Sequence, residues 1–191
     1  MDTQPAPHRW SARVLSHRAL SPTAFELKLS REQVAFRAGQ LLTVHGPDLL
    51  ADRTYTIASG ETEDTLAILY RLMPAGILTP RLAALREGDH LDISAPYGEF
   101  TLRDPARPVV FIATGTGLAP AVAFHRTYPG LDLTILHGVR TAADLFYRDE
   151  LADGGRYHAC VSGEAAPGCF RGRVTACASG LTFPPDAHFY L

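Results

Sequence analysis

The chain has 191 residues, 46% hydrophobic and 20% charged, which is ordinary globular composition and long enough for one large core or two small ones. A formal net charge of −2 gives no general pull toward nucleic acid or an anionic membrane, so any cationic site must be local. No apolar run reaches the roughly 20 residues that span a bilayer, and Met1 to Trp10 lacks the apolar core of a secretory signal. The cytoplasm is the expected compartment.

The first hundred residues read as short strands broken by turns: Arg13 to Leu20, Ala24 to Leu29, Gln40 to Val44, Thr54 to Ser59, Thr65 to Leu72 and His90 to Ala95. Phe25, Leu27 and Leu29 fall on one face, with Glu26, Lys28 and Ser30 on the other. Gly39, His45-Gly46-Pro47, Gly60 and Pro96-Tyr97-Gly98 supply the turns. Six such strands predict a closed antiparallel barrel rather than an open sheet with exposed edges. One short helix is expected from Pro80 to Arg86, with Thr79 as N-cap, Pro80 in the first turn and Gly88 past the end. The preceding loop, Pro74-Ala75-Gly76-Ile77-Leu78, delivers the chain to a helix N-terminus whose unpaired amides suit an anion.

The rhythm changes after Arg103-Asp104-Pro105-Ala106-Arg107, which reads as a linker. Pro108 to Ala113 is a continuous apolar run, the pattern of a parallel strand buried on both faces. Thr114-Gly115-Thr116-Gly117 then turns into a helix from about Leu118 to Thr127. Leu131 to His137 is a second strand, and Thr141-Ala142-Ala143-Asp144 is similar to a capping box that opens a helix to Leu151. Arg156 to Ser162 and His188 to Leu191 complete a strand–helix alternation, which predicts a parallel α/β sheet.

Cys160, Cys169 and Cys177 form no CxxC pair, and the eight histidines never stand three or four apart. Neither set has the spacing of a metal or iron–sulfur site, so no metal is expected. Gly115-Thr116-Gly117 is the strongest single motif. Glycines let a pyrophosphate approach the backbone while the following helix aims its positive end at it. The full dinucleotide fingerprint wants a third small residue, and this sequence reads Gly115-Thr116-Gly117-Leu118-Ala119-Pro120.

Three motifs in order carry a resemblance. Arg53-Thr54-Tyr55-Thr56-Ile57-Ala58-Ser59 resembles the Arg-x-Tyr-Ser/Thr flavin motif of the ferredoxin–NADP⁺ reductase superfamily. Gly76-Ile77-Leu78-Thr79 is similar to its flavin-pyrophosphate loop, and Gly115 to Pro120 to its Gly-Thr-Gly-x-Ala-Pro nucleotide loop. The stretch Leu72 to Asp89 looks most like the bacterial ferredoxin/flavodoxin–NADP⁺ reductases. The resemblance covers about residues 10 to 191.

It implies a flavin-binding barrel over residues 1–104 and an NAD(P)-binding α/β domain over 105–191. Arg53 would neutralise flavin phosphate, Tyr55 would stack on the isoalloxazine, and Thr56 would place a hydroxyl by its redox-active nitrogen; Tyr55 and Thr56 are the implied catalytic pair. Tyr70, Arg71 and Leu72 match positions that border the flavin, and Gly76, Ile77, Leu78 and Thr79 its phosphate loop. Gly115, Thr116, Gly117 and Leu118 would hold the nicotinamide nucleotide. Arg140 follows the second strand, where an arginine can pair with a 2′-phosphate or simply end the strand at the surface. Arg173 matches another basic position of the bacterial reductases, although Gly163 stands where a third arginine often occurs.

The implied cofactors are FAD (FMN as second choice) and NADPH, with NADH as the alternative. The implied partner is ferredoxin or flavodoxin, with no nucleic acid and no membrane. Two other readings are a reductase component of an oxygenase and a non-catalytic flavin-binding module. The family's Cys-Gly-x-Pro-x-Met segment and last helix would follow Leu191, so the α/β domain is expected to be C-terminally short.

Overall fold

The alternating segments become a six-stranded antiparallel sheet in the computed structural model, which describes residues 9–47, 51–152 and 156–191. Met1 to His8, on which part of the leader reading rests, lie outside the described residues. The strands are β1 (Arg9–Ala19), β2 (Ala24–Ser30), β3 (Leu41–Val44), β4 (Arg53–Thr56), β5 (Thr65–Arg71) and β6 (His90–Ser94), in the order β4-β3-β6-β1-β2-β5. The ends of that order meet. Ile57 bridges Ile68, and the Ala58 N–H donates to the Ala67 carbonyl at 2.7 Å, so the sheet curls into a nearly closed barrel.

Strand β1 permits the curl. Its first half pairs with β6 and its second with β2, and the register slips between Val14 and Ser16. A bulge at such a point bends the strand and sharpens its twist. Val14, Leu27, Leu29, Leu42, Ile68 and Ile93 point inward and are wholly buried. Each contributes roughly 1.5–3 kcal/mol relative to exposure. Strand β4 stops at Thr56, short of the expected Ser59, because the chain leaves β3 there and the buried Ser59 hydroxyl accepts the Ala67 N–H at 2.6 Å.

The short helix α1 (Thr79–Ala84) forms, but Thr79 is not its N-cap. Leu78 occupies that position, and the Thr79 hydroxyl instead donates to the Met73 carbonyl at 3.2 Å and accepts the Met73 N–H at 2.9 Å. The helix ends at Ala84, before the expected Arg86, where Leu85 turns extended.

The second sheet is parallel, in the order β10-β9-β8-β7-β11. Its strands are β7 (Val109–Thr114), β8 (Leu133–Val139), β9 (Arg156–Val161), β10 (Phe170–Arg171) and β11 (His188–Tyr190). One face, with Val109, Phe111, Leu133 and Ile135, packs on α2 (Ala119–Thr127). The other, with Val110, Leu136 and Cys160, packs on α4 (Val174–Ser179) through Val174 and Cys177. Burial on both faces explains the unbroken apolar runs of β7 and β8. The predicted helix from Thr141 to Leu151 is split into a 3₁₀ turn at Ala142–Asp144 and α3 (Arg148–Ala152), with Tyr147 between them at φ +59°. The Thr141 hydroxyl donates to the Asp144 carboxylate and accepts no backbone N–H, so no capping box forms.

Barrel and parallel sheet share one core. Ala24, Ala38, Ala58, Ala67 and Leu69 of the barrel pack in the same cluster as Phe111, Val122 and Phe124. Around it runs a polar seam. Arg126 pairs with Glu150 at 2.6 and 3.0 Å and donates to the Ala58 carbonyl at 3.3 Å, while the Tyr147 hydroxyl donates to Glu26, which is 2% exposed. Burial and that carboxylate push the Tyr147 phenol above its usual range. No helix among the described residues is long and apolar enough to cross a membrane, and no three or more of their His, Cys, Asp and Glu side chains cluster where they could hold a metal.

Candidate nucleotide and flavin site

Ligands of open α/β sheets bind outside the carboxyl ends of the strands. A cleft of about 520 Å³ lies there. Thr114 and Gly115 reach it from the end of β7, Gly138 to Arg140 from β8, Ser162 from β9, and Gly172 to Thr175 from the turn into α4. Its opposite wall is the barrel: Thr23 and Ala24 at the start of β2, and Arg71 at the end of β5. The Leu72 N–H donates to the Thr23 carbonyl at 2.8 Å and ties these two barrel edges together.

Glycine shapes the cleft. Gly115 has φ +51°, a conformation that side chains rarely adopt, and a β-carbon there would meet no protein atom within 4 Å. What glycine preserves at this point is open space on the cleft side, as a bound pyrophosphate requires. Thr116 and Gly117 continue into a 3₁₀ turn over Gly115–Leu118 that runs directly into α2, with Pro120 in its first turn. At Gly138 a β-carbon would lie 2.4 Å from Val174 Cγ1, so glycine lets α4 close on β8.

The cleft lining carries three guanidinium groups, Arg71, Arg140 and Arg173, against one carboxylate, Asp144. That balance suits a polyanion. Gly163 is explained by the same geometry. Its N–H donates to the Arg140 carbonyl at 2.8 Å, and a β-carbon would sit 2.6 Å from that oxygen and 3.0 Å from Arg140 Cγ.

The residues of the motif that resembles a flavin site lie elsewhere, on the barrel. Arg53 and Tyr55 alternate along β4, which pairs with β3 in the register Val44↔Arg53 and Leu42↔Tyr55. Arg53 is exposed and Tyr55 half-buried against the barrel core, which raises its phenol despite the opposing Arg53 charge. Thr56 is half-buried opposite Leu41. In the loop after β5, Gly76 approaches Met73, whose backbone Thr79 ties down from both sides. An exposed guanidinium, a half-buried phenol and a tied glycine loop are a donor set that fits a flavin and its phosphates.

Three implied site residues do not face a ligand through their side chains. Tyr70 is 1% exposed, and its hydroxyl donates to His17 Nε2 at 2.8 Å, so its ring is held inside the barrel. Leu78 caps the barrel core, and Leu118 belongs to the core between barrel and sheet. Motifs gave no sign of Thr23, Ala24, Asp144, Phe146 or Ser162 in the cleft. These residues reach it through chain topology, and only Ser162, just past an apolar strand, carried a positional hint.

Residues 12–102 match the oxidoreductase FAD-binding domain family, and residues 111–159 match the oxidoreductase NAD-binding domain family. The ferredoxin–NADP reductase of Pseudomonas aeruginosa is 36% identical over 152 residues, 73% of this chain and 58% of that protein. The chain belongs to the ferredoxin–NADP⁺ reductase superfamily. Among its other superfamily relatives, the reductase subunit of an aromatic O-demethylase from Amycolatopsis sp. is 35% identical over 173 residues, 82% of this chain and 49% of that subunit. The crystal structure of an Amycolatopsis cytochrome P450 reductase superposes with a TM-score of 0.83 at 28% identity, covering 96% of this chain and 61% of that one. The chain spans about half the length of the curated superfamily relatives it matches first, 44% and 49%.

Proposed function

We propose that this chain is the FAD- and NAD(P)-binding part of an oxidoreductase that takes reducing equivalents from NADPH and passes them singly to a ferredoxin, a flavodoxin or an oxygenase component. The observation that carries this reading is the shared cleft. Its glycine loop and two arginines come from the parallel sheet, while its third arginine, Arg71, comes from the barrel whose rim bears the flavin motif. The boundary is taken between residues 104 and 105, and the cytoplasm is the proposed compartment, where free thiols such as Cys160, Cys169 and Cys177 persist.

In this reading Gly115, Thr116 and Gly117 bring backbone amides to the dinucleotide pyrophosphate, and Arg140 and Arg173 select a 2′-phosphate. Arg53 and the loop from Gly76 to Thr79 hold flavin phosphate. Tyr55 orients the ring system, and Thr56 offers a hydroxyl at the reacting edge. Bound flavin would supply the chemistry, accepting a hydride and releasing electrons one at a time. The residues of this chain hold and orient it.

The test is a visible spectrum of the protein supplied with FAD, followed by anaerobic addition of NADPH. Flavin that binds and bleaches supports the reading. Flavin that binds and stays oxidised with both NADPH and NADH would favour a non-catalytic flavin module. A second reading, a dedicated oxygenase reductase, draws support from the Amycolatopsis relative, which is named as a demethylase reductase subunit. Electrons accepted by an oxygenase component but not by ferredoxin or flavodoxin would select it.

A further inference from the structure

His137 is wholly buried in the middle of β8, in a position that the redox reading leaves without a task. Its register partners on the flanking strands are Ala113 and Ala159, so both neighbours are small and an imidazole-sized slot opens beside them. Phe146 closes the slot edge-on, with ring centroids 5.4 Å apart. Within it, both ring nitrogens are engaged. Nε2 lies 3.1 Å from the Gly115 carbonyl, and Nδ1 lies 2.7 Å from the Tyr157 hydroxyl. A carbonyl can only accept, so Nε2 carries the proton and donates to Gly115. In a neutral ring Nδ1 is then the acceptor, and Tyr157 donates to it. Burial lowers the imidazole to about 4, which keeps the ring neutral and this single tautomer in place at pH 7.

The bond matters because of where it ends. Gly115 is the residue whose left-handed backbone opens the cleft, and glycine loses more conformational freedom on ordering than any other residue. A loop left to itself would bear that loss each time ligand bound. Resting on the reading that this loop binds the nucleotide, we propose that His137 is a positioning residue: with Tyr157 fixing its tautomer, it pins the Gly115 carbonyl and keeps the loop preorganised for the dinucleotide phosphates.

The experiment measures NADP⁺ affinity by calorimetry on the flavin-loaded full chain, with flavin content as the control for folding. His137→Phe keeps the ring volume and removes both hydrogen bonds, so NADP⁺ should bind roughly tenfold more weakly with flavin content unchanged. His137→Gln restores a donor at the same reach and should return to within about twofold of the parent, a rescue that bulk packing alone would not give. Gly115→Val tests the underlying reading separately. If it leaves NADP⁺ affinity intact, the loop assignment fails. If it abolishes binding while a folded His137→Phe binds like the parent, the positioning role fails and the loop assignment stands. Should His137→Phe not fold, nitrogen-15 correlation spectra of the parent's imidazole decide: protonated Nε2 with bare Nδ1 supports the role, and the opposite tautomer overturns it.

Discussion

The cleft proposed for the nucleotide is shaped mostly by backbone, whereas the barrel rim that would hold the flavin is made mostly by side chains. In the cleft, Gly115 supplies a left-handed turn, Gly138 lets α4 close on β8, and Gly163 yields space to Arg140. On the rim, Arg53 and Tyr55 project from a four-residue strand with ordinary extended geometry, and their chemistry lies in what they carry. A site of the first kind is lost when one atom is added. A site of the second kind is weakened when atoms are removed.

The largest expected effect concerns the imidazole beneath the cleft. His137 is lowered from an ordinary value near 6.5 to about 4, so between those values the unfolded chain binds a proton that the folded chain refuses. Stability is therefore full above pH 6.5 and falls as pH drops toward 4, by on the order of 3 kcal/mol from this group. Denaturant melts at pH 7 and pH 4.5 should show a loss that is smaller in His137→Phe, and an equal loss in both proteins would remove the histidine from the account.

Next comes the added atom. Gly115→Val forces a β-branched residue to φ +51° and should weaken NADP⁺ binding about thirtyfold, with flavin retained. Joint loss of flavin would mean that the cleft and rim are not separable. The removed atoms follow: Arg53→Ala should raise the FAD dissociation constant roughly tenfold and leave NADP⁺ unaffected, as seen by flavin fluorescence titration. The smallest effect is selective. Arg140→Ala should weaken NADPH about fivefold and NADH hardly at all, and equal loss for both would place Arg140 outside any 2′-phosphate pocket.

Legibility followed the same division. The barrel was readable because period-two alternation and turn residues are local, and all six strands lie within a few residues of their expected places. The Gly115 turn was readable because glycine is conspicuous. The break in the helix after Thr141 was not, since Tyr147 adopts its positive φ beside a contact to Glu26, 121 residues away in sequence. Strand β10 is two residues long and exists only as a parallel pairing with β9, which no periodicity can announce. Helix α4 was missed for a similar reason, as six residues with two buried side chains give too little pattern. Tyr70 was assigned toward the flavin from its motif position, but its aromatic side chain is better satisfied inside the barrel, where His17 accepts its hydroxyl proton.

The seam has a consequence for modularity. The barrel meets its neighbour with Ala24, Ala38, Ala58 and Ala67, a plate of small side chains into which Phe111, Phe124 and Leu118 settle, locked at its margin by Arg126 and Tyr147. Either half expressed alone would present that apolar plate to water and leave Glu26 without its phenol partner. The two halves should therefore melt as a single cooperative transition, and a chimera that exchanges one half would need to carry the plate and its two locking residues along with it.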